Sequence, residues 1–147
     1  MTTQKYESVW DDYAKRFKQS PEIKGESHLG DEWGTPETTH SAFHLVEPVL
    51  AGAETVGELG VGGGKHTVMA AQHVKHIFGF DISSEMLQLT EERLAKHACH
   101  FTPVKVDGRK LPLEANSLDS FYSLDAMVHI FPYDLCRYVL EIGRILK

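Results

Sequence analysis

The chain has 147 residues, of which 41% are hydrophobic and 24% charged, a composition typical of one soluble globular domain. Its formal net charge of −6 argues against a nucleic-acid partner, and no apolar run approaches the ~20 residues that a membrane-spanning helix requires. The polar N-terminal stretch "MTTQKYESVWDDYAKRF" is not a secretory signal, and the two cysteines make no disulfide framework. We therefore expect a cytoplasmic protein that binds neither nucleic acid nor a membrane.

Two helices are predicted in the first fifty residues. Apolar residues recur at steps of three and four over residues 6–18, which is the pattern of an amphipathic helix. A turn-rich loop covers residues 19–34. The second helix begins at Thr35–Pro36, with a capping hydroxyl and a proline in its first turn, and Pro48 bends or ends it. We assign residues 1–50 to a helical lid or cap.

From residue 51 onward, short apolar runs alternate with amphipathic helices. The predicted strands cover residues 55–59, 76–81, 100–107 and 118–124, and the predicted helices cover residues 65–74, 84–97 and 134–147. This alternation indicates right-handed β-α-β units in a parallel sheet. Pro103 has no N–H for a ladder hydrogen bond, so the third strand belongs at an edge, as it does in the strand order 3-2-1-4. The sequence thus predicts an α/β domain over residues 51–147.

The stretch "VGELGVGGGKHT", residues 56–67, is the main candidate for a ligand-binding loop. The phosphate loop of nucleotide hydrolases, G-x-x-x-x-G-K-[ST], would place its first glycine at Leu59 and its hydroxyl at His66, so it does not match. The dinucleotide motif G-x-G-x-x-G would place its third glycine at Lys65, so it matches only in part. A shorter G-x-G-x-G motif fits, with its glycines at Gly60, Gly62 and Gly64.

The acid before these glycines decides what ligand they suit. Glu58 would repel a pyrophosphate but attract a ligand that carries an ammonium and a sulfonium group. S-adenosylmethionine has both charges and no phosphate. Asp81 lies 21 residues after Gly60 at the end of the second predicted strand, where a carboxylate can accept both ribose hydroxyls. For both acids, a strand-end carboxylate near a helix N-terminus is the alternative.

Residues 55–147 resemble the class I S-adenosylmethionine-dependent methyltransferases. Four stretches carry the resemblance in family order, "VGELGVGGGKHT", "IFGFDISSEML", "VKVDGRKLPLEANSLDSFYSLDAMVHI" and "YVLEIGRILK". The resemblance implies a Rossmann-like parallel sheet, S-adenosylmethionine as the cofactor, and direct methyl transfer to an oxygen or nitrogen atom. Because the chain is acidic and has no base-recognition motif of the "NPPY" type, a small-molecule acceptor is favoured.

The resemblance also implies roles for individual residues. Asp107 takes the adenine amino group, and Gly108 offers its backbone amide to the adenine ring, whereas a simple Asp-Gly turn is the alternative. Ile82 and Met86 pack on the adenine face or serve as ordinary core residues. The residues that border the methionine end of the cofactor are Ser123, Leu124 and Asp125.

Two further side chains are candidates on the methyl side of the site. His129 follows the fourth predicted strand and is the best candidate for a base, with packing as its alternative. Trp33 lies among turn residues and is a candidate to close over the cofactor, whereas Trp10 and Tyr13 are favoured as packing residues. Lys65 and His66 are expected to be first-turn residues without chemistry. The stretch "KHACH" has no second ligand pair, so no metal site is predicted.

The sequence departs from the family pattern at its end. The family sheet usually has seven strands, and here the three strands that follow the last helix are absent, so we expect an incomplete cofactor-binding domain. The alternative to an active enzyme is a non-catalytic S-adenosylmethionine-binding module that works with a partner chain. The fourth strand would then be an exposed edge, so we expect either that two copies associate across it or that the chain is part of a longer protein.

Overall fold

The computed structural model describes residues 3–20 and 28–147, so residues 21–27 of the predicted loop lie outside the described residues. The helices are α1 (Thr3–Gln19), α2 (Pro36–Phe43), α3 (Glu47–Leu50), α4 (Thr67–Ala70), α5 (Ser84–Leu94) and α6 (Pro132–Ile145). The strands are β1 (Thr55–Leu59), β2 (His76–Asp81), β3 (His100–Lys105) and β4 (Ser120–Tyr122), and a 3-10 turn covers Met127–His129. Among the helices described, none is long and apolar enough to cross a membrane.

The four strands form one parallel sheet with the order β3-β2-β1-β4, which confirms the predicted topology. Pro103 lies in the edge strand β3 opposite Gly79 of β2. Gly57 of β1 lies between Phe78 and Phe121 of the neighbouring strands. A Cβ atom at Gly57 would come within 2.4 Å of the Phe121 ring, so the glycine makes room for an aromatic side chain on the sheet face.

Helices cover both faces of this sheet. On one face, the core contains Phe43 and Leu50 from α2 and α3 together with Val56 and Ile77 from the central strands. On the other face, the core residues are Leu59, Phe80, Val106, Leu111, Leu118, Tyr138 and Ile145. A third cluster joins α1 and α5 through Ala14 and Met86. Because both faces are covered, the carboxyl ends of the central strands are the edge left for a ligand.

Several element boundaries differ from the predictions because tertiary contacts override local pattern. The predicted second helix is broken after Phe43, and Pro48 lies in the first turn of α3 instead of ending a helix. The helix after β1 has only four residues. β4 has three residues instead of seven, and Leu118 instead forms a parallel bridge with Leu146.

Candidate functional site

A cleft opens at the carboxyl ends of β1, β2 and β4. Its walls come from α1, from residues 28–34 (called the strap below), from residues 60–66 (the glycine loop) and from the segment that follows β4. The predicted site residues that line it are Trp33, Gly60, Gly62, Asp81, Ile82, Met86, Gly108, Leu124 and His129. The predicted site residues that do not line it are Glu58, Gly64, Asp107 and Ser123.

Glycine is required at two positions of the loop for different physical reasons. Gly60 and Gly62 have φ angles of 77° and 54°, a left-handed backbone that favours glycine. A Cβ atom at Gly60 would collide with Ala126, at 2.1 Å, so this glycine lets the segment after β4 pack on the loop. A Cβ atom at Gly62 would meet nothing within 4 Å, and Gly62 lines the cleft. The bare backbone at Gly62 therefore suits close approach of a ligand such as S-adenosylmethionine.

Asp81 connects the glycine loop to the end of β2. Its carboxylate accepts the Gly62 N–H at 3.1 Å and the Ser83 N–H at 2.9 Å, and the residue is only 7% exposed. Burial raises the pKa of Asp81 to about 6, against the lowering effect of these backbone hydrogen bonds. A carboxylate has about four lone-pair sites, so it retains acceptor capacity that can bind a ribose diol.

Glu58 is buried behind the cleft and is not among the residues that line it, and its predicted role in cofactor binding stays a prediction. Glu58 is 2% exposed, and the Tyr122 hydroxyl of β4 donates to its carboxylate at 2.7 Å. Burial, together with the nearby Asp81 carboxylate, raises the pKa of Glu58 to about 7 against the lowering effect of its side-chain hydrogen bonds.

Gly64 and Ser123 also have local roles. A Cβ atom at Gly64 would lie 3.2–3.3 Å from Thr90 and Arg93, so this glycine allows α5 to pack on the loop. The Ser123 hydroxyl donates to the Leu59 carbonyl at 2.8 Å, which fixes the end of β4 against β1. Both residues support the wall of the cleft without forming it.

The Asp107–Gly108 pair makes hydrogen bonds within the protein, and its predicted role at the adenine ring stays a prediction. The Asp107 side chain is exposed, and its carboxylate accepts the Arg109 N–H at 3.0 Å, as in a simple Asp-Gly turn. The Gly108 N–H donates to the Tyr138 hydroxyl at 2.8 Å. The backbone amide expected to bind the adenine ring is therefore already paired within the protein.

The strap is a feature that the sequence did not reveal. A Cβ atom at Gly63 would come within 2.1 Å of the Leu29 carbonyl oxygen, so the strap lies directly on the glycine loop. The Arg93 guanidinium of α5 donates to Asp31 at 3.0 Å and to the Gly63 carbonyl at 3.3 Å. The Lys65 ammonium donates to the Trp33 carbonyl. These contacts join residues far apart in sequence, and no local pattern signals them.

An aromatic cluster from the N-terminal segment lies beside the cleft. The Trp10 ring is 5.2 Å from the His129 ring and 6.4 Å from the Trp33 ring, both edge to face. Tyr13 stacks on Trp33 at 5.3 Å. Trp10 and Trp33 both line the cleft, and Trp33 is 53% exposed. The packing role favoured for Tyr13 fits this geometry, and Trp10 packs in the cluster while also forming part of the wall.

Polar side chains that the sequence analysis did not assign to the site also line the cleft, namely Lys65, His66, Asp134 and Tyr138. Burial, followed by the neighbouring Lys65 charge, lowers the pKa of His66, so its imidazole is neutral at pH 7. Within residues 3–20 and 28–147, no group of three or more His, Cys, Asp or Glu side chains could hold a metal ion.

A match to a known protein family assigns this chain to that family. A family model described as a methyltransferase domain matches residues 56–147. The chain belongs to this methyltransferase family. The Rossmann-like sheet and the strand order agree with class I S-adenosylmethionine-dependent enzymes. A comparison of the methyltransferase with curated proteins gives no match.

Solved structures share the fold of this methyltransferase. Phosphoethanolamine N-methyltransferase 1 of Haemonchus contortus, solved with phosphoethanolamine and S-adenosylhomocysteine, is 18% identical at a TM-score of 0.73, over 99% of this chain and 30% of that one. The cyclase SpnF is 18% identical with a TM-score of 0.73, and the match covers 100% of this chain and 57% of SpnF. An S-adenosylmethionine-dependent methyltransferase of Mesorhizobium loti is 27% identical with a TM-score of 0.59, and the match covers 73% of this chain and 48% of that protein. The chain thus spans between about a third and three fifths of their lengths.

Proposed function

We propose that this methyltransferase binds S-adenosylmethionine in the cleft and transfers its methyl group to an oxygen or nitrogen atom of a small molecule. The observation that carries the proposal is the Gly62–Asp81 pair. It places a bare backbone and a buried carboxylate with spare acceptor sites side by side at the strand ends. A nucleoside ribose needs this acceptor, and the absence of a phosphate loop favours a nucleoside without phosphate.

The transfer is a direct displacement at the methyl carbon. The bond from sulfur to carbon breaks, the electron pair stays on sulfur, and a bond forms from the acceptor atom to carbon. Alignment and exclusion of water supply most of the acceleration. The acceptor is proposed to lie beside Trp10, Trp33 and His129, and the His129 imidazole to take its proton. The N-methyltransferase among the structural neighbours supports a nitrogen acceptor.

Both tryptophans of the chain line the cleft, so intrinsic fluorescence provides a direct test. S-adenosylmethionine and S-adenosylhomocysteine should change the emission with one-site saturation, and calorimetry should give the same stoichiometry. NADH is the matched control because it carries the same adenosine on a pyrophosphate, and it should bind at least tenfold more weakly. Equal affinity for NADH, or no binding of S-adenosylhomocysteine, would exclude the proposal.

A second candidate is a non-catalytic S-adenosylmethionine-binding module that acts with a partner chain. It is supported by the cyclase SpnF among the proteins that share this fold. Methyl transfer from S-adenosylmethionine without any added chain separates the candidates. If a methyl acceptor is found, His129→Ala should lower turnover with cofactor affinity nearly unchanged. The two free cysteines fit the cytoplasmic location that we propose.

A further inference from the structure

The Trp33 ring is an exposed aromatic surface that the protein holds in place on the wall of the cleft. Trp33 lines the cleft and is 53% exposed, although tryptophan side chains are on average highly buried. Tyr13 stacks on the ring at 5.3 Å, and the Lys65 ammonium donates to the Trp33 carbonyl. The Glu32 carboxylate accepts the Tyr13 hydroxyl and the Gly30 N–H, which ties the strap to α1. A ring that is held without being buried is available to a ligand.

Trp10 extends this surface from the strap to the turn after β4. Its ring lies edge to face with the Trp33 ring at 6.4 Å and with the His129 ring at 5.2 Å, and all three residues line the cleft. We call Trp10 and Trp33 the aromatic wall. The aromatic wall therefore reaches the imidazole that the proposed function uses to take a proton.

The charges around the cleft favour a cation against this wall. The carboxylates that line the cleft are Asp81, Asp125 and Asp134. Lys65 is the one ammonium among the described residues that line it, and it is bonded to the strap. The faces of aromatic rings carry negative potential, with tryptophan the strongest, and they attract ammonium groups. Carboxylates and ring faces thus act in the same direction on a positively charged ligand.

We propose that the methyl acceptor is a small amine that binds as its cation, with the ammonium group against Trp10 and Trp33. This substrate class rests on the proposed function. One N–H bond of the ammonium breaks as its proton passes to the His129 imidazole. The freed electron pair on nitrogen then forms the bond to the methyl carbon, while the pair of the breaking bond stays on sulfur.

A pair of probes of equal shape separates a cation site from a merely apolar surface. Choline carries a trimethylammonium group, and 3,3-dimethyl-1-butanol is the same molecule with carbon in place of the charged nitrogen. A surface that acts only by apolar contact favours the neutral alcohol, because the alcohol is easier to remove from water. A surface that acts on charge favours choline.

The test is an NMR titration of the protein saturated with S-adenosylhomocysteine, at an ionic strength held constant with sodium chloride. Choline should bind with one-site saturation in the millimolar range, and at least about fivefold more tightly than 3,3-dimethyl-1-butanol. Trp33→Leu should remove this preference, because leucine keeps an apolar side chain but has no ring. Trp33→Phe should retain part of it. Tyr133→Leu is the matched control, since it removes an exposed ring outside the cleft, and it should leave both affinities unchanged.

The outcomes against this substrate class are distinct. Equal binding of the two probes, no binding of choline, or an undiminished preference in Trp33→Leu would overturn it, and the first two need no variant that folds. If Trp33→Leu instead weakens S-adenosylmethionine relative to the uncharged S-adenosylhomocysteine and leaves choline unchanged, the ring serves the cofactor sulfonium and the inference is wrong. Failure of the wild-type protein to bind S-adenosylhomocysteine would overturn the proposed function with it.

Discussion

The buried carboxylate of Asp81 has two roles in this site. It accepts the Gly62 and Ser83 N–H groups, which shapes the glycine loop and the start of α5, and it keeps acceptor sites for a ligand. Both roles require the ionised form of Asp81, because a protonated carboxyl group has fewer acceptor sites. The pKa of Asp81, raised to about 6 by burial, therefore ties cofactor binding to pH.

We predict that S-adenosylhomocysteine binds about tenfold more weakly at pH 5 than at pH 8. Below its pKa of about 6, the Asp81 carboxyl must release a proton before it can accept the ribose hydroxyls, and each pH unit costs about 1.4 kcal/mol. Calorimetry across this range gives the profile. Asp81→Asn should weaken binding at pH 8 by about 1.5–3 kcal/mol and abolish the pH step.

The exposed Asp12 of α1 is the matched control for this experiment, since Asp12→Asn removes the same charge outside the cleft. It should keep both the affinity and the pH step. A pH step that persists in Asp81→Asn would assign the titration to another group.

Glu58 predicts a different pH effect, on stability. Its folded-state pKa is raised to about 7 from an ordinary value of 4.5, so the native state binds more protons than the unfolded state between these limits. Its contribution to the free energy of unfolding therefore falls as pH rises from about 4.5 to 7 and stays low above. Glu58→Gln removes this loss and keeps an acceptor for Tyr122. We expect the variant to be roughly 1–3 kcal/mol more stable than wild type at pH 8, with the difference vanishing near pH 4.

Urea unfolding at several pH values measures this difference. Glu114→Gln, at an exposed position, should stay within about 0.5 kcal/mol of wild type throughout. A Glu58→Gln variant less stable than wild type at pH 8 would show that the ionised carboxylate stabilises the fold.

At the scale of elements, side-chain contacts hold the strap and α1 against α5 and the glycine loop. Arg93 links α5 to the strap and to the glycine loop, and the Lys18–Glu85 pair at 2.8 Å links α1 to α5. Gly63 is the point of closest approach, because its missing side chain is replaced by the Leu29 backbone. Packing of the N-terminal segment thus depends on one glycine outside the G-x-G-x-G positions.

We predict that Gly63→Ala destabilises the protein by about 1–3 kcal/mol, the usual cost of overpacking, because a backbone carbonyl 2.1 Å away must move. The strap should separate from the loop, shift the emission of Trp33, and weaken cofactor binding. Thermal unfolding measures the loss of stability, and fluorescence measures the shift in emission and the weaker cofactor binding.

Gly143→Ala is the matched control, because its Cβ would meet nothing within 4 Å on the exposed side of α6. Alanine is the better helix former, so this variant should be about 0.5–1 kcal/mol more stable. A Gly63→Ala variant with wild-type stability and emission would show that the strap is not packed against the loop.

For the whole molecule, the edge of the sheet at β4 bears on whether the chain associates with a second copy. Ser120–Tyr122 pairs with β1, and no second strand among residues 3–20 and 28–147 pairs with it. Just before β4, Leu118 forms a bridge with Leu146 and backbone hydrogen bonds with Ile145 and Lys147. Free strand edges recruit other strands. We propose that two copies of the chain associate through this edge.

Sedimentation velocity at micromolar concentrations should show a concentration-dependent dimer. Leu140→Lys places a charge on the apolar outer face of α6, where Leu140 is 75% exposed, and should leave the dimer intact if β4 is the interface. A compact monomer over the whole range, with cooperative unfolding, would contradict the proposal.

The sequence by itself determined the strand order of this methyltransferase and the position of Asp81. Hydrophobic periodicity shows which residues face a core, and Pro103 assigns β3 to an edge. Parallel strands then bring their carboxyl ends together, so motif spacing alone placed the glycine loop and Asp81 in one cleft.

Only the tertiary structure decided how the side chains around them are used. Tyr138 meets Gly108 across 30 residues and Glu58 meets Tyr122 across 64, while Leu29 contacts the glycine loop from outside the matched domain. Periodicity encodes burial of a face but not the partner of a buried polar atom, since that partner is selected by packing among distant segments. For this reason the sequence did not single out Tyr138 and Asp134, which line the cleft, and the roles predicted for Glu58 and Asp107 stay predictions.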